Sequence, residues 1–199
     1  MRNAEATRER ILQAALAEFS AHGIAGARVD RIAQTAGCNK NLIYIYFTDK
    51  ETLFTTVLRK HLLRVHEEYP FTPDDLPGYA GKVFDFVTAN PDLMRLMTWA
   101  ALEDPKGSAE RVTPLDAKLA ALTKAQKAGQ VSTAFPPRFL LAALMSLAMA
   151  WSVASPFGPL LNPKAAEHPS ELRKCLIEAI RLLANPDRGS QSRRRSRQE

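Results

Sequence analysis

The stretch from Arg28 to Lys50, RVDRIAQTAGCNKNLIYIYFTDK, leaves little freedom of fold. Val29, Ile32, Ala33 and Ala36 recur at i, i+3, i+4 and i+7, which lays one apolar stripe along a two-turn helix. Gly37 follows where a helix end takes a left-handed residue, a conformation glycine adopts without steric cost. Cys38 is small enough for the turn, and Asn39 is a good N-cap, because its side-chain oxygen can accept an orphan amide of the next helix. In that second helix Ile43 and Phe47 face inward, with Leu42 flanking them. Lys40, Asn41 and Tyr44 share the opposite side, and Tyr46 lies at its edge. The pattern predicts a helix-turn-helix whose second helix enters the DNA major groove. An ordinary helical hairpin with a solvated polar face has the same spacing, so the flanks must decide.

Upstream, Ile11, Leu12, Ala15, Leu16 and Phe19 mark an amphipathic helix from about Thr7 to Ala21, closed by His22 and Gly23. Downstream, Thr48 or Asp49 can cap a long helix, and Glu51 complements its positive dipole end. Taken together, TRERILQAALAEFSAHG, VDRIAQTAG and NKNLIYIYFTDKETLF resemble the N-terminal domain of the tetracycline-repressor (TetR) family of bacterial transcriptional regulators. The resemblance covers roughly residues 5 to 65 and needs no gaps.

The resemblance implies roles for the matching positions. Lys40, Asn41, Tyr44 and Tyr46 stand where such proteins touch base edges or phosphates, with Asn39 and Thr48 at the ends of the same helix. Lys50 matches the lysine that opens the fourth helix beside the DNA backbone. The chemistry agrees: asparagine can bridge adenine N6 and N7, lysine can donate to guanine or phosphate, and tyrosine hydroxyls reach phosphate oxygens. Lys50 is equally readable as a surface lysine near a helix start, where the dipole slightly disfavours a cation. The chain departs from the family at Ala27 and Arg28, where a Ser or Thr usually caps the second helix and touches phosphate. Arg28 takes the phosphate role in this reading, and the cap is weaker.

Beyond this segment the pattern is helical throughout, without strand-like alternation. The expected fold is all-α, with about nine helices: a three-helix helix-turn-helix domain over residues 1–48 and a helical effector-binding and dimerisation domain over 49–187. The helices are expected near Asp49–Tyr69, Tyr79–Thr88, Pro91–Glu103, Ser108–Ala128, Pro137–Ala154 and Ser170–Leu183, with FTPDDLPGYAG as a connector. Pro114 either kinks its helix or delays its start. The last twelve residues, RGSQSRRRSRQE, hold five Arg and one Glu, which is +4 of the total +6. This tail over 188–199 has no apolar residue to bury and is expected to be disordered. It either adds phosphate attraction or merely solubilises the end.

The segment FLLAALMSLAMAWSVA is shorter than the roughly twenty residues that span a bilayer, so no membrane helix is expected. Being apolar all round, it must be covered on both sides. Ala142, Ser146, Ala150 and Ala154 form a row of small side chains, and Leu140, Leu144, Leu147 and Trp151 a bulkier face. A twofold-related copy would cover both, with Leu172, Leu176, Ala179 and Leu183 of the last helix completing a four-helix interface; packing within one subunit is the other solution. The resemblance implies the first, a homodimer through the two C-terminal helices. Two recognition helices about 34–36 Å apart then read a roughly palindromic operator in double-stranded DNA.

The family also implies an effector that enters the C-terminal domain and tilts helix four. Candidate lining residues are Phe84, Phe86, Met94, Met97, Trp99, Leu102, Phe139, Met145 and Trp151, although aromatic and Met side chains at this spacing also serve as plain core. Few charges lie among them, which favours a small apolar effector. Catalytic signatures are missing from the sequence: His22, His61, His66 and His168 include no i, i+4 pair, and there is no Gly-rich phosphate loop, G-x-S-x-G or paired-cysteine cluster. No metal and no cofactor are expected, and no enzyme. Cys38 and Cys175 fall in the reading turn and a C-terminal helix, which argues against a disulfide. The expectation is a cytoplasmic, nucleoid-associated repressor. The alternative is a helical ligand sensor that has lost sequence-specific DNA binding, supported by the weak cap at Ala27 and Arg28.

Overall fold

The computed structural model describes residues 2–103, 109–164 and 167–185. The Arg-rich tail expected over 188–199 lies outside them. Among the described residues every regular element is helical: α1 (Arg2–Gly26), α2 (Val29–Ala36), α3 (Lys40–Phe47), α4 (Lys50–Glu68), α5 (Leu76–Ala89), α6 (Pro91–Glu103), α7 (Ala109–Lys127), α8 (Pro137–Met149), the short α9 (Gly158–Leu161) and α10 (Pro169–Ala184). None is long and apolar enough to cross a membrane. The described residues pack as two compact units, drawn from Met1–Val65 with Asn90–Glu110 and from His66–Ala89 with Arg111–Glu199. The division differs from the boundary expected after residue 48, because most of α4 and all of α6 belong with the first unit.

Packing explains that grouping. Ile11, Leu12, Ala15 and Phe19 of α1 are buried with Ile32, Ala33 and Ala36 of α2, Ile43 and Phe47 of α3, and Leu53, Phe54, Val57 and Leu58 of α4. The Phe19 and Phe54 rings meet edge to face, 5.2 Å between centroids. On its other side α1 packs on α6. Ser20 Oγ lies 2.6 and 2.7 Å from the Leu16 and Asp92 carbonyl oxygens, which share its one proton, and Trp99 Nε1 donates to the Ser20 carbonyl at 3.2 Å.

Glycine is required at one point of this contact. Gly23 breaks α1 at φ 65 and ψ −178, a region that only glycine enters without strain. A Cβ there would sit 2.9 Å from the Trp99 ring and from Glu103 Oε1. The released Ile24 N–H donates to that same Glu103 oxygen at 3.0 Å.

In the second unit α5 is the central helix, packed on α8 and α10. Leu76, Tyr79, Ala80, Val83, Phe84, Phe86 and Val87 are buried with Leu140, Leu141, Leu144, Leu176 and Ile180. Burying each of the larger aliphatic side chains contributes about 1.5–3 kcal/mol before entropic costs. Arg173 Nε bridges both Asp85 oxygens at 2.9 Å, fixing α10 on α5. Buried Gln126 donates to the Ser132 and Phe135 carbonyls at 2.6 and 2.9 Å and so shapes the turn after α7.

Two helix ends differ from the sequence expectation. α5 starts at Leu76, inside the stretch read as a connector, because Asp75 caps it: Oδ1 accepts from the Gly78 N–H at 2.9 Å. Pro77 fits that first turn, where no N–H is needed. α8 stops at Met149 and not at Ala154, and the chain then turns back on it. A Cβ on Gly158 would lie 1.8 Å from the Ala150 carbonyl oxygen. That close approach occupies the space the helix would need to continue.

Candidate nucleic-acid interface

The reading segment is built from caps. Arg28 enters α2 extended, at φ −119 and ψ 122, with no side-chain cap of its own. Glu18 on α1 supplies the missing acceptor: its carboxylate takes the Arg28 N–H at 2.8 Å and Arg31 Nε at 2.8 Å. This is the bond that a Glu at the Arg31 position would make in a capping box, here made from a neighbouring helix. The Glu18 side chain is only 10% exposed. Burial alone would raise its pKa, but donation from Arg31 and from the Arg28 N–H outweighs burial and holds the carboxyl below its ordinary 4.5.

Gly37, at φ 62 and ψ 44, ends α2 in the left-handed conformation expected. Its N–H reaches the Gln34 carbonyl at 3.2 Å and the Cys38 N–H reaches that of Ala33 at 3.0 Å. Asn39 then caps α3, its Oδ1 accepting the Asn41 N–H at 2.9 Å. Thr48 leaves α3 at φ 64 and ψ −57, and the Asp49 N–H turns back to the Phe47 carbonyl at 2.6 Å in a γ-turn. Asp49 opens α4 by accepting the Thr52 N–H at 2.7 Å, and hydrogen bonding from the Thr52 side chain, then from its N–H, keeps the carboxyl below the usual range.

The outward face of α3 is partly committed. Lys40 Nζ pairs with Asp30 at 2.9 Å, and that hydrogen bond raises the lysine pKa. Tyr46 Oη donates to the Ala4 carbonyl at 3.2 Å and Lys50 Nζ to the Ala27 carbonyl at 3.4 Å. Arg28, Asn41 and Tyr44 are exposed, and none has a hydrogen-bond partner for its side chain among the described residues. Tyr44 is 42% exposed. The structure thus brings the eight residues expected at the interface to one segment, but four of them also hold it together. Sequence reasoning missed Ile45, which is 76% exposed. Its position was a usable signal, since it stands two residues from both Ile43 and Phe47, about 200° around the helix.

Residues 11–57 match the model of bacterial regulatory proteins of the tetR family, and residues 75–181 match the tetracyclin repressor-like C-terminal domain. The chain belongs to the TetR family. It is 42% identical over 159 residues to the HTH-type transcriptional repressor SCO4008 of Streptomyces coelicolor, covering 78% of this chain and 82% of that protein. The crystal structure of SCO4942 from Streptomyces coelicolor, assigned as a transcriptional regulator, superposes with a TM-score of 0.80 at 37% identity, over 90% of this chain and 99% of the other. FadR from Bacillus subtilis, solved in complex with stearoyl-CoA, shares the fold at a TM-score of 0.61 and 16% identity, over 85% of this chain and 97% of the other.

Within this TetR-family chain the residues expected to line an effector pocket divide between the two units. Met94, Met97, Trp99 and Leu102 lie on α6 of the first, where Met94 is buried, Trp99 is bonded to α1 and Leu102 is exposed. Phe84, Phe86, Phe139, Met145 and Trp151 lie in the second, with Phe84 and Phe86 buried in the core and Phe139 exposed. A hollow of about 470 Å³ in that unit is lined by Asp116, Leu119, Ala120, Thr123, Lys124 and Lys127, all on α7.

The dimer residues divide as well. Ala142 and Ser146 are exposed on α8, whereas Ala150 caps its end and Ala154 lies in the following turn, so the row of small side chains is helical only in its first half. Leu172, Ala179 and Leu183 are half-buried on α10. Leu176 belongs to the core of its own unit. The exposed stripe of α10 is instead Cys175 and Leu182, flanking Ala179.

Proposed function

We propose that this chain is a homodimeric transcriptional repressor that reads a roughly palindromic operator through α3 and is released by a small apolar effector. The observation that carries the reading is the outward pair Asn41 and Tyr44, uncommitted to the fold and held on a helix that is capped at its start and anchored by Ile43 and Phe47, with the Arg28 side chain exposed at the start of α2. Arg28 and Tyr44 suit phosphate, and Asn41 suits a base edge. The name of SCO4008 supports repression as the sign of control. The alternative is a helical ligand sensor without sequence-specific DNA binding, and against it stands the Glu18 carboxylate, which accepts the Arg28 N–H and steadies the start of α2 although Arg28 brings no side-chain cap of its own.

Dimerisation is supported by the apolar surface left on α8 and α10, where Phe139, Ala142 and Leu182 stand exposed. An effector acts by binding one state of the dimer better than the other, shifting the population away from the DNA-competent separation. Gel shift and fluorescence anisotropy with DNA from upstream of the gene test the reading. Asn41→Ala is expected to cost about 1–3 kcal/mol on the preferred duplex and to relax discrimination at one base pair. Ala142→Glu is expected to yield monomers in sedimentation and to abolish tight operator binding. A protein that ignores duplex DNA at low ionic strength refutes the proposal.

A further inference from the structure

Ile45 is the side chain of α3 that the fold does not explain. It is 76% exposed, while Ile43 and Phe47, each two residues away, are buried. A step of two residues turns a helix by about 200°, so Ile45 points away from the anchoring stripe. Asn41 stands one turn earlier on the same side, and Tyr44 is adjacent. Nothing local asks for a branched hydrocarbon here: isoleucine is a poorer helix former than the straight-chain residues, and in water it gains no burial.

The neighbours narrow the choice of ligand. Asn39 is occupied with its cap, Lys40 with Asp30 and Tyr46 with the Ala4 carbonyl. The outermost groups are therefore an amide, a phenol and a hydrocarbon. The hydrocarbon can make no hydrogen bond to phosphate or to a base edge. In the major groove its counterpart is the C5-methyl group of thymine, a feature cytosine lacks. The amide of Asn41 matches N6 and N7 of adenine, the partner base in the same kind of pair.

We infer that Ile45 is a specificity-determining residue that packs on a thymine methyl in the major groove, so that each half-site holds an A·T pair at the position it reads. The inference rests on the reading of α3 as the DNA-reading helix. It separates Ile45 from the phosphate-contacting residues, which position the protein without selecting sequence.

The experiment uses the full chain and a duplex that it selects from a randomised pool at low ionic strength. Each thymine of that duplex is replaced in turn by deoxyuridine, which removes the methyl and keeps every hydrogen bond. One thymine per half-site is expected to show about a fourfold rise in Kd, the effect of exposing a single methyl-sized group. With Ile45→Ala that penalty is expected to vanish at the same position while substitutions elsewhere keep theirs. Ile45→Val, which retains most of the branch, is expected to keep part of it. Because Ile45 has little burial to lose, neither change threatens folding. The inference is overturned if the parent tolerates deoxyuridine everywhere, or if Ile45→Ala keeps the penalty. Equal weakening of the thymine and uracil duplexes by Ile45→Ala also overturns it, since that places the residue against sugar or phosphate. A chain that selects no sequence at all fails earlier, at the reading of α3 itself.

Discussion

The α2 and α3 segment of the first unit uses its polar side chains to hold its own backbone, while α8, α9, α10 and their connections in the second leave large apolar side chains in solvent. Around α2 and α3, Glu18, Asn39 and Asp49 each close a helix start, and Lys40, Tyr46 and Lys50 each have a protein partner. In the second unit Phe139, Val153, Phe157, Leu160, Leu161 and Leu182 are all exposed. A segment whose polar groups are satisfied internally is complete as a folding unit, and its remaining free groups are available to a ligand. A surface that leaves large aliphatic groups wet is one that association would stabilise. The contrast assigns different consequences to substitutions in the two places.

The largest effect is expected at Gly23, where backbone and space both forbid a side chain. Gly23→Ala would pay for the strained φ, about 1–3 kcal/mol, and would also push the Trp99 ring and Glu103 off α1. A loss of roughly 3 kcal/mol or more in urea unfolding is expected. Gly37→Ala is the control, because Gly37 has similar φ but nothing within 4 Å of the added Cβ. It should cost only about 1 kcal/mol. Equal costs at the two positions would mean that the α1 and α6 contact is not tight.

Glu18 comes next. Glu18→Ala removes the acceptor of a helix-start N–H and of Arg31, with an expected cost of about 2 kcal/mol. Glu18→Gln keeps an acceptor and is expected to cost about half as much. The two variants also separate in their pH response. The folded Glu18 carboxyl titrates below 4.5, so the unfolded chain takes up its proton first as acid is added. Stability from this group is therefore full above about pH 4.5 and drains as pH falls through the folded pKa. Glu9 adds a smaller effect of the same sign, since donation from Lys60 and Gln13 lowers its pKa. In thermal melts the parent should lose stability as the pH falls below about 4.5, and Glu18→Gln should lose less over the same acid limb. A parallel pair of curves would show that Glu18 does not carry the cap.

These two cases also mark what was legible in the sequence. The α2 and α3 helices, the Gly37 turn and the Asn39 cap were readable because each is specified within a few residues. The Glu18 contact was not, since it reaches across ten residues from another helix, whereas the local signal of a cap is a Ser or Thr beside Arg28. The end of α8 was hidden for a similar reason: no glycine or proline interrupts it, and the obstruction is Gly158 returning against Ala150. The start of α5 was misread because Pro77 and Gly78 signal a connector unless Asp75 is recognised as the cap before them. Ile45 is hard to tell from core in the sequence because an apolar residue among apolar neighbours has the same composition whether it faces inward or outward. The membership of α6 depended on the notch at Gly23, a packing fact with no local pattern.

The smallest intrinsic effect is expected in the second unit, and its smallness is the point. Leu160 and Leu161 on α9 are 80% and 83% exposed, so changing both to Ser removes almost no burial from a single chain. In dilute protein the double variant should unfold within about 0.5 kcal/mol of the parent. If a second copy covers these leucines, the parent's melting temperature rises with protein concentration, because association stabilises the folded state by mass action. The Leu160→Ser, Leu161→Ser chain should then show a shallower rise, while its dilute melt stays unchanged. A parent whose melting temperature ignores concentration would instead leave these side chains as ordinary exposed hydrocarbon, and the contrast between the two units would no longer predict self-association.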